Sequence, residues 1–312
     1  MKRTRKQLGF KLDFERMQKA GGGGGVLFSV DENAARKALA RVAKTFNRPA
    51  VDAKPYIAKG RVVIAKSASG QSLDVAKTAR QLADTAERKP ATQRLRVSLI
   101  QKEPNITAAR LKGITGSLAN FSTRAGGNAK RLNNIQIAVR AIDGTLLAPG
   151  ETFSLNQTVG ERTSERGYRT APVFVDAEKV DGIGGGVSQV TGTLFNAAAL
   201  AGLAIDEVYP HSRPVSYLPL GRDATVAFGS KDLKFTNNTK APVYIGYTLK
   251  GRRLSAVVFG QKQPARKIKL VPQVQKKGPG TITAKLYRTV SQSGKTQKEQ
   301  LFSHTYRWKA KG

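Results

Sequence analysis

The stretch Gly182-Ile183-Gly184-Gly185-Gly186-Val187-Ser188-Gln189-Val190 decides how the chain is read. Three consecutive glycines stand directly before an apolar run that continues to about Ala201, the pattern of a tight turn feeding a helix. Such a turn lets a ligand approach the backbone closely, and the helix start behind it presents unpaired N–H groups and a partial positive charge. Gly184, Gly185, Gly186 and Gln189 are therefore candidate ligand-binding residues for an oxyanion or carboxylate. At Ser188 two readings stand. Serine is a favoured N-cap, so Ser188 can cap the helix or hydrogen-bond a ligand. As a nucleophile it needs a base within reach, and His211 is the candidate.

Working outward, Phe121-Ser122-Thr123 precedes a run to Asn133-Asn134-Ile135, and Asp143-Gly144 and Pro149-Gly150 supply turn chemistry before Glu151-Thr152-Phe153-Ser154. Gly167-Tyr168 and a strand from Pro172 to Val175 lead into the glycines. Beyond the helix come Pro210-His211-Ser212-Arg213-Pro214-Val215-Ser216-Tyr217 and Gly221-Arg222-Asp223-Ala224-Thr225-Val226. The prolines put His211 on a turn or extended loop, as a general base, a donor to a carboxylate, or a packed loop histidine. Arg213 and Arg222 carry guanidinium forks that suit a substrate's terminal carboxylate, with Asp223 pairing one of them as the structural alternative. Tyr217 either stacks on a sugar or packs into the core.

That succession, over residues 114–261, closely resembles the VanW family, found widely in bacterial surface proteins. The resemblance implies a link to peptidoglycan, and some members look like L,D-transpeptidases whose cysteine nucleophile lies in the glycine-rich motif. Ser188 stands at that position here, and the chain has no cysteine at all. The implied activity is binding of peptidoglycan stem peptides or a related anionic wall polymer by a degenerate transpeptidase-like domain. The alternative is acyl transfer, in which Ser188 attacks, His211 takes the proton and backbone N–H groups around Gly185 to Val187 hold the oxyanion.

On the N-terminal side, residues 1–25 are basic and end in Gly21 to Gly25, read as a disordered leader and linker. Ser29 and Glu32 have capping-box spacing before a helix whose apolar face is Ala35, Leu39, Val42 and Phe46. After a strand at residues 61–65, Val75, Ala79, Leu82 and Ala86 repeat the spacing, and Leu95 to Gln101 reads as a closing strand. A small β-α-β-α-β domain over residues 26–103 follows. Its segments Phe28-Ser29-Val30-Asp31, Asn47-Arg48-Pro49-Ala50 and Gly70-Gln71-Ser72-Leu73-Asp74 resemble the peptidoglycan-binding domain that precedes VanW domains.

Residues 262–312 alternate apolar and polar positions around Gly278-Pro279-Gly280 and Ser293-Gly294, as β-hairpins do. They hold thirteen Lys/Arg against one acid, Glu299, so a basic, solvent-facing edge is expected. The expected class is therefore α+β: the small domain, a mixed domain with one central helix after the glycine loop, and a C-terminal β segment.

Across 312 residues, 54 Lys+Arg oppose 21 Asp+Glu, a net charge of +33 that favours an anionic partner. Nucleic acid shares that sign, and a cytoplasmic nucleic-acid binder is the competing class, although no helix-turn-helix or zinc-finger pattern can be read. Without cysteine, and with only His211 and His304, no metal site or cofactor is expected; His304 reads as an ordinary strand residue. Gly294-Lys295-Thr296 lacks the upstream glycine of a phosphate loop, since Thr289 stands there. No apolar stretch long enough to span a membrane exists, and no export signal is visible after Met1–Phe10. The resemblance nonetheless points to the extracytoplasmic envelope.

Overall fold

Helix Val187–Ala201 is apolar on nearly every side, and all but two of its residues are buried, so it can only be stable inside a core. In the computed structural model it packs on a four-stranded antiparallel sheet in the order Gly116–Arg124, Arg253–Gly260, Val243–Lys250, Thr145–Leu147. The helix's buried polar groups are satisfied in place: Thr191 Oγ1 donates to Val187 O (3.0 Å), and Asn196 Nδ2 donates to Gly192 O and Arg222 O (both 2.7 Å). Tyr247 reaches from the sheet and donates to Val190 O (2.7 Å). A second helix, Ala129–Ile142, covers strand Val243–Lys250 and also touches the central helix. The three-stranded sheet Ala204–Glu207, Lys234–Thr236, Thr152–Ser154 adds stacked Phe153 and Phe235 rings, 4.7 Å between centroids.

The structure describes residues 6–19, 28–88, 96–175 and 178–307. The chain divides into two compact units, one of residues 1–53 and 66–107, the other of 54–65 and 108–312. In the first, helices Glu32–Phe46 and Val75–Arg88 pack through Ala35, Leu39, Val42, Ala79 and Leu82. The spacing of four, three, four reads correctly at these positions, whereas Ala86 lies outside the described side chains.

Three expectations for this unit change. The N-cap is Asp31, whose Oδ1 accepts from Ala34 N (3.0 Å), because Ser29 is committed to a strand pairing with Lys11. Residues 6–19 carry structure where disorder is expected: Phe10–Leu12 pairs with Phe28–Val30, and Leu8 and Phe10 pack on the helical core. The pentaglycine and residues 89–95 lie outside the described residues. Finally, the strands form two separate pairs, Phe10–Leu12 with Phe28–Val30 and Gly70–Leu73 with Leu99–Lys102, and the hairpin Lys54–Ala58/Arg61–Ala65 groups with the second unit. The fold is mixed α+β, but not a single β-α-β-α-β sheet.

The C-terminal strands Lys267–Gly278, Thr281–Gln292 and Lys295–Arg307 form an antiparallel meander with turns where the glycines predict them. It is basic, but it is more than an exposed edge. Ala284, Leu286 and Tyr306 are fully buried, and the nearly buried Arg288 donates to Ala199 O (3.3 Å) and Leu203 O (2.6 Å) at the end of the central helix while pairing with Glu299. A guanidinium there adds donors at the C-terminal end of the helix and complements its negative pole.

Candidate functional site

The hairpin Thr170–Val175/Glu178–Ile183 delivers the chain into the glycine turn, and a cleft of about 310 Å3 opens beside it. The cleft is lined by Gly184, Gly185, Gly186, Ser188, Gln189, His211 and Tyr217 from the predicted set, and by Arg131, Glu161, Arg162, Thr225 and Phe228, among others. Arg213, Arg222 and Asp223 do not line it.

The glycines are required by sterics. Gly184 and Gly186 have φ of +87° and +109°, which side chains rarely adopt. A Cβ at Gly184 would sit 2.8 Å from Arg162 Cβ, and one at Gly186 would sit 2.9 Å from Ile135 Cγ1 and 3.1 Å from Arg131 Cγ. At Gly185 it would meet the carbonyl oxygens of Ala171 and Pro172 at 2.6 Å. The loop is thus pressed between its own hairpin and two arginine stems. Fully buried Asn134 fixes it further, donating to Arg169 O (2.8 Å) and Gly185 O (3.1 Å) while accepting from Arg169 N (2.7 Å).

Gly186 is the N-cap of the central helix and makes no side-chain cap bond, so Ser188 is not the cap. Serine at the second helical position has its Oγ free to turn toward the cleft, where its partner is Thr225 Oγ1 (3.1 Å). Gln189 is spoken for: its Nε2 donates to Thr123 Oγ1 and Arg124 O (both 3.0 Å), and its Oε1 accepts from Arg131 Nη2 (2.9 Å). It braces the cleft wall.

His211 is buried, and its Nδ1 lies 2.8 Å from Asp223 Oδ2, which also accepts from His211 N (2.8 Å). Asp223 Oδ1 accepts from Tyr306 (2.5 Å). Burial works to raise the Asp223 pKa, but the bonds and charge of His211 and the Tyr306 hydroxyl outweigh it and hold the carboxyl below its ordinary range. On the far side of the imidazole, Nε2 is 3.4 Å from Tyr217 Oη, with the rings edge-on. Burial, reinforced by the Asp223 charge, pushes the Tyr217 phenol well up, so it stays protonated. Asp223 therefore partners histidine and tyrosine, not an arginine.

Arg222 points the other way, donating to Asn196 Oδ1 (2.7 Å) with its guanidinium 4.9 Å above the Phe121 ring. It is a strut for the central helix. His304 is a strand residue as read, but its imidazole bonds the His211 backbone and sits edge-on to Tyr306, 4.8 Å between centroids. Arg307 N also donates to Ser212 O (2.9 Å), so the C-terminal strand backs the whole His211 loop. Chemically, the cleft offers a hydroxyl at a helix start, an Asp-oriented imidazole and two guanidiniums. Among the described residues no group of His, Asp and Glu could hold a metal ion.

A family model described as "VanW like protein" matches residues 130–259, and one described as "Putative peptidoglycan binding domain" matches residues 4–93. The chain is 40% identical over 157 residues to the Uncharacterized protein YoaR of Bacillus subtilis (strain 168), covering 50% of this chain and 52% of that protein. It is 30% identical over 136 residues to the Vancomycin B-type resistance protein VanW of Enterococcus faecalis (strain ATCC 700802 / V583), covering 42% and 50%. The chain thus spans about half the length of these curated relatives. No solved structure matches it. The glycine loop, the central helix and the His211–Asp223 pair all lie inside residues 130–259, the segment that is similar to the VanW-like family.

Proposed function

We propose that the chain is a wall-associated protein whose VanW-like cleft binds peptidoglycan stem peptides, or a related anionic wall polymer, without turning them over. The family matches and the name of the peptidoglycan-binding model support association with the cell envelope. The observation that carries binding over catalysis is the partnering of Ser188. Its Oγ is engaged by Thr225, while His211 Nε2 faces Tyr217, so the hydroxyl lacks the base that an alcohol needs to become a nucleophile. A thiol at the same helix start would ionise without such help.

One observation favours the acyl-transfer reading. The Asp223–His211 pair is buried and oriented as a general base would be, and both Ser188 and His211 line one cleft. A shift of Ser188 toward His211 in the ligand complex would assemble the dyad. The two readings separate on one experiment: the purified chain is incubated with muropeptides, binding is followed by calorimetry and Ser188 by intact-mass spectrometry. Binding with unchanged mass supports the proposal; an acyl adduct on Ser188 establishes the enzyme. Binding to duplex DNA but not to muropeptides would favour the nucleic-acid reading that the charge permits.

A further inference from the structure

Two arginine stems straddle the glycine loop, that of Arg131 over Gly186 and that of Arg162 over Gly184, and both residues line the cleft. Burial lowers the pKa of each, the signature of cations withdrawn from water. Neither makes an ion pair among the described residues. Two carboxylates lie nearby: exposed Glu161 lines the cleft, and Asp232 acts on Arg162 through space while its own oxygens accept from Ser154 Oγ and Asn156 N.

The two arginines differ in what they have left to give. Arg131 spends Nη1 on Gly126 O (2.8 Å) and Nη2 on Gln189 Oε1 (2.9 Å). Arg162 spends Nη1 on Asn156 Oδ1 (2.7 Å), but its Nη2 is buried with no partner. The fully buried Tyr168, on whose hydroxyl the Arg162 charge acts, likewise has an unpartnered oxygen. A buried charged donor without an acceptor is costly, and a carboxylate accepting from it recovers that cost. The glycines let both arginine stems lie against the loop, and Arg131 Nη2 reaches Gln189 in the first turn of the central helix, where the helix start adds a partial positive charge.

We infer that Arg162, with Arg131 supplying a second charge, is a carboxylate subsite that selects ligands carrying a free terminal carboxyl group. This deepens the stem-peptide reading above and rests on it. It also moves the anchor away from Arg213 and Arg222, neither of which lines the cleft. Charge-assisted forked contacts of this kind give specificity as well as affinity, which a lysine's point charge reproduces poorly.

The test uses the full chain and two synthetic stem tripeptides, one ending in a free carboxylate and the other capped as the C-terminal amide. The unaltered protein is expected to bind the acid at least about tenfold more tightly than the amide. Arg162→Gln should abolish that preference, and Arg162→Lys should retain it only in part. Thermal melting of both variants checks that they fold, and the acid–amide comparison on the unaltered chain needs no variant. Equal binding of acid and amide by the unaltered chain, or a preference that survives Arg162→Gln, overturns the subsite while leaving stem-peptide binding intact. Binding of neither peptide overturns both.

Discussion

Ser188 is where one atom matters most. It sits at the second position of the central helix, in a cleft also lined by Arg131 and Arg162, in a chain without cysteine. Ser188→Cys would therefore carry a unique thiol in a field that favours thiolate. Its alkylation by iodoacetamide is expected to show a midpoint below the ~8.5 of a free thiol; a midpoint at or above that value would mean the cleft does not activate a nucleophile. At Asp223 the sign of the pH effect is fixed by geometry. Its pKa is depressed in the fold, so its stabilisation is present above the ordinary carboxylate range and is lost as pH falls through the lower folded value. Asp223→Asn is expected to cost about 1–3 kcal/mol at neutral pH and to flatten that acid limb in chemical-denaturation curves taken from neutral pH downward.

Among the elements, the glycine loop and its helix were legible because composition and apolar run announce them directly. What the loop packs against was not. Three glycines say that a Cβ does not fit, yet they do not name Arg131 and Arg162, whose stems arrive from a helix and a turn earlier in the chain. Gly185→Ala separates sterics from ligand approach, since its φ is ordinary and only the Ala171 and Pro172 carbonyls obstruct a methyl group. It should lower stability by about 1–3 kcal/mol even without ligand, read as a drop in melting temperature. An unchanged melting temperature would return the glycines to a role in ligand approach. Asp223 likewise had two arginines as neighbours in sequence, but the loop turns its carboxylate inward to His211 and Tyr306. Adjacency along the chain was a poor guide to pairing in space.

At the scale of the molecule, the basic C-terminal meander looks separable in sequence and is not. Its Leu286 joins the main core, its Arg288 holds the Ala199 and Leu203 carbonyls around the end of the central helix, and its Tyr306 braces Asp223. Sequence reasoning missed this because thirteen cations, one of them the buried Arg288, conceal the buried positions 284, 286, 288 and 306 along two strands. Arg288→Met keeps the apolar stem and deletes the donors, and it should cost about 1–3 kcal/mol in urea unfolding, whereas substitution of the exposed Lys295 should stay within about 0.5 kcal/mol. Apart from Arg266, the meander's other described cations are exposed. Adhesion to an anionic wall polymer through them should weaken steeply between low and physiological salt in a sedimentation assay; salt-insensitive adhesion would assign binding to the cleft alone.

The bond from Tyr306 to Asp223 spans 83 residues of chain, and that separation sets an order in time. At ribosomal speeds of roughly 5–20 residues per second, the carboxylate is made about 4–17 s before the hydroxyl that braces it. Through roughly the first three quarters of that interval the helix also lacks Arg288 and the nascent core lacks Leu286. A chain still in synthesis therefore holds an unfinished cleft, and it acquires a buried His–Asp pair only after its last long strand has docked.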